Sequence, residues 1–185
     1  MIVENILDNA VISALQSDRL IIAKTDTIYG VLARAESNRA IERLYKIKQR
    51  PLGKSVIVLV ADITDIPGLT PHMQEKYQKL AIERPTTIIV NVSPDFLPHI
   101  PHINDTLAFR VIPKSPLSEL IHKVGYLAAP SANLSGQKPA KNIAEAVNYF
   151  HESAAVYVDS GEIVDSKPSQ IIRIRECGKI EFIRK

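Results

Sequence analysis

Apolar positions recur along this chain with a helical period in some stretches and as short unbroken runs in others. Over residues 4–17, Leu7, Val11, Ala14 and Leu15 fall on one helical face. Ser37 or Asn38 can cap a second helix, with Ile41, Leu44 and Tyr45 on one stripe, that ends before Pro51. Residues 71–83 read as a third helix. Ser115-Pro116, a cap followed by proline in the first turn, opens a fourth that runs to 124. Asn142, with Glu145 three residues on, opens a fifth that ends near 151. Apolar runs at 20–23, 55–60, 86–92, 106–112, 126–129, 155–158, 170–174 and 179–183 read as strands, and 25–30 as a polar turn. The alternation predicts an α/β fold with a mostly buried, mixed sheet. The close spacing of the last three strands predicts antiparallel pairing there. No internal repeat or linker-like tract interrupts the pattern.

At 185 residues the chain is expected to form a single domain over 1–185. A chain of this size buries about 70% of its extended surface on folding and needs no staple. With 45% hydrophobic and 23% charged residues it is a globular sequence rather than a disordered one. The single cysteine, Cys177, excludes an intrachain disulfide framework and a Cys-rich zinc site. Apolar runs such as 56–61 fall far short of the ~18 residues that span a bilayer, so no membrane association is expected. The segment MIVENILDNA lacks a basic stretch before an apolar core, so no secretory signal is expected. The expected compartment is a reducing cytoplasm. The net charge of +3 is too small to argue for non-specific nucleic-acid binding. Arg43, Lys46, Lys48, Arg50 and Lys54 are nevertheless concentrated, either as a solvated helix face or as an anion site.

Several catalytic signatures are missing: GxGxxG, a Walker A loop and GxSxG. His72, His99, His102, His122 and His151 show no zincin spacing, and no metal site is expected. Three segments carry the remaining chemistry. Lys24-Thr25-Asp26-Thr27-Ile28-Tyr29-Gly30 follows a strand, where ligand crevices form in α/β sheets; it is either such a site or a Ser/Thr turn. Pro130-Ser131-Ala132-Asn133-Leu134-Ser135-Gly136 would point Ser131, Asn133 and Ser135 one way on an extended backbone, or is simply a polar loop. Lys48-Gln49-Arg50-Pro51 places two cations where the chain leaves a helix, as a phosphate clamp or as partners of the helix C-terminus.

TDTIYG, then a helix ending KQRP, then a β-branched strand, then the arginine-bearing LAFRVIP, then PSANLSG resembles the YrdC/Sua5 family in its short bacterial form. The resemblance covers residues 20–175. It implies a twisted mixed sheet with flanking helices and a basic concave face. It also implies an L-threonylcarbamoyladenylate synthase: L-threonine, bicarbonate and ATP, with Mg²⁺, give threonylcarbamoyl-AMP and pyrophosphate. A downstream threonylcarbamoyl transferase complex would then modify adenosine 37 of tRNA. By the same resemblance Lys48 and Arg50 hold ATP phosphates and act catalytically, and Ser131 and Asn133 meet the nucleotide. Lys54, Thr106 and Arg184 lie near ATP. Thr27, Arg110 and Ser169 hold threonine, with Arg110 on its carboxylate. The pattern departs from the family at Lys24, Leu59, the 83–87 stretch and Gln170. Two alternatives remain: an RNA-binding module using the concave face for RNA or tRNA contact, and a diverged paralogue with another substrate. An aromatic content of 5%, without Trp, argues against a base-stacking platform.

Overall fold

The computed structural model describes residues 1–164, 168–175 and 177–185. In chain order these form β1 (Ile2–Val3), α1 (Asn9–Gln16), β2 (Ile21–Lys24), β3 (Tyr29–Arg34), α2 (Asn38–Ile47) and β4 (Ile57–Val60). Then come α3 (Pro71–Glu83), β5 (Thr86–Asn91), β6 (Thr106–Val111), α4 (Pro116–Val124) and β7 (Leu127–Ala128). The chain closes with α5 (Ile143–Phe150), β8 (Val156–Val158), β9 (Gln170–Ile174) and β10 (Ile180–Arg184). The strands form one mixed ten-stranded sheet in the order β1-β8-β2-β3-β7-β4-β6-β5-β9-β10.

The helices start where their caps dictate. Ser37 accepts from the Ala40 N–H, Ser115 from Ser118 and Asn142 from Glu145. The first helix is shorter than its apolar stripe predicts. Asp8 caps it at Asn9, and Ile2–Val3 runs as a strand parallel to β8. Residues 29–34 hold the strand the polar–apolar pattern does not reveal. They pair antiparallel to β2 and are buried almost throughout, so no alternation marks them. The expected antiparallel closing trio is corrected. Only β9 and β10 pair that way; β8 crosses to the far side and lies parallel between β1 and β2.

Two packed layers flank the sheet. One face is covered by α2, α3 and α5, through Ile41, Leu44, Met73, Tyr77, Ala146 and Phe150. Full burial of each such Leu, Ile or Phe contributes about 1.5–3 kcal/mol. The Tyr77 hydroxyl donates to the Thr86 carbonyl at 2.8 Å and accepts from the Val111 N–H at 3.0 Å, fastening α3 to β5 and β6. Burial pushes that phenol up to about 12. The other face is covered by α1 and α4, and among the described residues their cluster draws its strand residues from β1, β2, β3, β4, β7 and β8 and the Ile112 end of β6. No described helix covers the same face of β6, β5, β9 and β10, and the candidate site lies there.

Candidate functional site

The hairpin between β2 and β3 is closed by threonines. The Thr25 N–H donates to the Ile28 carbonyl at 3.0 Å. Its hydroxyl donates to the same carbonyl and accepts from the N–H groups of Thr27 and Ile28. This is the Ser/Thr turn the sequence allowed, and it leaves the Thr27 hydroxyl 3.1 Å from that of Thr25. Gly30 permits the next contact. A Cβ there would sit 3.2 Å from the Pro130 carbonyl. Val31 N donates to that carbonyl at 2.9 Å, and Ala132 N to Tyr29 O at 2.7 Å. Two segments about a hundred residues apart are thus stitched together.

The third segment joins them. At the end of α2, Gln49 adopts a left-handed backbone (φ 49°) and turns the chain toward Pro51. The Lys48 side chain, 1% exposed, runs inward. Its Nζ donates to the carbonyls of Ser131 and, at 2.6 Å, Asn133, while Ser135 N donates back to the Lys48 carbonyl at 3.0 Å. Burial first, and Arg50 second, lower its pKa to about 7. Lys48 therefore faces loop carbonyls rather than open space, for the simple reason that they are its nearest acceptors. Of the two readings left open for it, the 131–137 segment follows the polar loop and not the extended one. Asn133 is buried, accepts from the Ser131 hydroxyl and donates to the carbonyls of Leu134 and Gln137.

A cleft of about 400 Å³ opens beside this junction. Its lining brings together Thr27, Arg50, Arg110, Ser131, Ser169 and Arg184. Among the described residues its charged lining consists of the three arginines, which makes it basic. The Arg50 guanidinium donates to the carbonyls of Lys54 and Ser55, which holds it along the cleft wall. Arg110 is buried and pairs with Asp26 at 2.8 Å. Its Nη2 also reaches the Thr25 hydroxyl at 3.4 Å, while its Nε has no hydrogen-bond partner among the described residues. Burial pulls the guanidinium below its usual pKa, against the opposing pull of Asp26; burial likewise raises the Asp26 carboxyl against Arg110. Arg184 donates twice to the Ser169 carbonyl, at 3.1 and 2.7 Å.

Four expected residues stand outside the lining. Lys48 and Asn133 shape the loop behind it. Thr106 is buried on β6, its hydroxyl donating to Ile103 O at 2.6 Å. The Lys54 side chain is exposed, and only its carbonyl takes part, accepting from Arg50 and the Tyr45 hydroxyl. Lys167, in the segment singled out around Ser169, lies outside the described residues. Sequence reasoning missed Thr25 and Thr87, whose hydroxyls support Thr27 and Ser169, and did not pair Asp26 with Arg110. The Thr25 contact is local to the Ser/Thr turn and was there to be read; the other two depend on long-range placement of strands and turns, which one sequence does not display. Among the described residues no group of three or more His, Cys, Asp or Glu is placed to hold a metal. None of their helices is long and apolar enough to cross a membrane.

Residues 13–185 match the family model named for Sua5, YciO and YrdC and described as "Telomere recombination". A threonylcarbamoyl-AMP synthase of Bacillus subtilis is 37% identical over 140 residues, which cover 72% of this chain and 40% of the relative. A threonylcarbamoyl-AMP synthase of Photobacterium profundum is 28% identical over 167 residues, covering 87% of this chain and 90% of the relative. In structure the chain resembles P. abyssi Sua5 complexed with L-threonine. The TM-score is 0.78 at 24% identity, over 94% of this chain and 53% of that one. The chain thus spans less than half of the Bacillus relative and about half of the Sua5 structure.

Proposed function

The chain belongs to the Sua5/YciO/YrdC family, and from that premise we propose that it condenses L-threonine, bicarbonate and ATP to threonylcarbamoyl-AMP and pyrophosphate. The observation that carries the reading is the basic cleft whose deepest cation, Arg110, keeps a buried Nε with no partner among the described residues. A buried donor without a partner is costly unless a ligand supplies the acceptor. A carboxylate fits it, since a guanidinium binds carboxylates through paired N–H groups. Thr27 and Ser169 line the same space and would contact the rest of the amino acid. The crystallisation of the P. abyssi protein with L-threonine supports an amino-acid site in this fold.

The chemistry asks for positioning and charge neutralisation rather than a covalent nucleophile. The threonine amine attacks the carbon of bicarbonate, water leaves, and a carbamate results. A carbamate oxygen then attacks the α-phosphorus of ATP, and the bond to the pyrophosphate breaks. Arg50 on the cleft wall is placed to neutralise charge on the phosphates, and Ser131 and Arg184 to contact the nucleotide. Lys48 and Asn133 serve the nucleotide through the loop they hold. Thr106 and Lys54 flank this region from β6 and the 51–55 turn. Mg²⁺ finds no carboxylate cage among the described residues. Asp26, a carboxylate beside the cleft, is engaged with Arg110. In this proposal Mg²⁺ arrives on the ATP phosphates, and no step is assigned to it. The product would pass to a threonylcarbamoyl transferase complex acting on tRNA in the cytoplasm.

The test is pyrophosphate release from ATP by the purified chain. The proposal expects release that requires both L-threonine and bicarbonate. Release indifferent to threonine would point to a diverged family member. No ATP turnover, together with RNA affinity that falls steeply with salt, would point to an RNA-binding module.

A further inference from the structure

The cleft floor carries a hydroxyl pair whose polarity follows from burial. Thr87, at the start of β5, is fully buried. One step beyond the Ile88–Phe109 pair it lies beside Arg110, and on its other side it pairs with Ile171. Its hydroxyl is 2.7 Å from that of Ser169 and makes no other hydrogen bond among the described residues. Two hydroxyls sharing one hydrogen bond leave one proton over. Were Ser169 the donor, that proton would sit on Thr87, buried and without an acceptor, an arrangement folded proteins avoid. With Thr87 donating, the remaining proton is on Ser169, which lines the cleft. The Ser169 backbone is fixed by the two bonds from Arg184.

We infer that Thr87 is a specificity-determining residue that acts through Ser169. It orients the Ser169 hydroxyl as a dedicated hydrogen-bond donor beside Arg110, where it reads an acceptor oxygen on the amino-acid side chain. Donation from behind also strengthens that hydroxyl as a donor. Thr87 itself touches no substrate and is a positioning residue. The site it builds favours a β-hydroxy amino acid over its deoxy analogue, because a polar group set to meet a hydroxyl is left unpaired by an analogue without one. The inference rests on the proposed reading that the cleft takes an α-amino acid.

The test compares the unaltered protein, Thr87→Val and Thr87→Ser with L-threonine and with L-2-aminobutyrate, which lacks the hydroxyl. Valine keeps the volume and the β-branched shape suited to a strand start. KM is read from pyrophosphate release. Thr87→Val should raise the KM for threonine about tenfold and leave that for 2-aminobutyrate within about twofold, and Thr87→Ser should recover the discrimination. An unchanged threonine KM, or equal changes for both amino acids, overturns the inference. Should the unaltered protein release no pyrophosphate with threonine, the reading of the reaction fails, and calorimetric binding of the two amino acids decides Thr87 separately. A preference for threonine that Thr87→Val abolishes upholds it; no preference in the unaltered protein overturns it.

Discussion

Replacing Lys48 with methionine separates a loop latch from a phosphate ligand. Methionine has similar length and fills the buried channel, but it leaves the carbonyls of Ser131 and Asn133 without their donor. Each buried acceptor stranded in this way costs about 1–3 kcal/mol. Removing a poorly solvated ammonium offsets part of that, and a net loss of about 2 kcal/mol is expected near pH 7. In a chain of this size that lowers Tm by about 4–8 °C. The loss should also depend on pH. In the folded protein Lys48 titrates at about 7, and in the unfolded chain near 10.5. Between those values the unfolded state binds a proton that the native state has lost, so native stability rises with pH across this window. Lys48→Met lacks this gain. Its deficit relative to the unaltered protein should therefore grow by roughly 1 kcal/mol per pH unit above 7. Urea denaturation of both proteins at pH 7 and pH 9 reads this directly, and calorimetry with ATP reads the loosened loop. An unchanged or raised stability, with turnover abolished, would refute the latch and return Lys48 to the phosphates.

Arg50→Ala removes a half-buried cation from the cleft wall. It should lower kcat/KM for pyrophosphate release by about 10²-fold with the fold intact by circular dichroism; near-normal turnover would sink its phosphate role. Asp26→Asn leaves Arg110 buried without its counter-charge and should cost about 3–5 kcal/mol in urea denaturation. A cost under about 0.5 kcal/mol would mean the ion pair is not formed in solution. Gly30→Ala pushes a Cβ against the Pro130 carbonyl, a backbone atom already held by Val31, so it cannot yield cheaply. It should destabilise the protein by about 1–3 kcal/mol and weaken ATP binding through the 131–137 loop, which thermal denaturation and calorimetry would detect.

What the sequence made legible was set by locality. The caps at Ser37, Ser115 and Asn142, and the apolar stripe of α2, are local features, and they fall where the pattern placed them. β3 escaped because Tyr29–Arg34 is buried on both faces, so no alternation marked it, and its first two residues were absorbed into the polar turn read over 25–30. The destination of β8 escaped because strand order is decided by long-range pairing, not by spacing. The same divide runs through the site. Thr27, Arg50, Arg110 and Ser131 were nameable from short motifs, and Ser169 and Arg184 from the family resemblance, and they meet in one cleft. The inward course of Lys48, the Asp26–Arg110 pair and the Thr87–Ser169 pair depend on which strand lies beside which, and only the folded sheet supplies that.

The most direct test of the account is the identity of the product. The purified chain is incubated with ATP, Mg²⁺, bicarbonate and L-threonine, and each component is omitted in turn before mass spectrometry. The account predicts a threonylcarbamoyl-AMP mass that appears only when all four are present. Binding of ATP with no such product, or a product that forms without threonine, would contradict it.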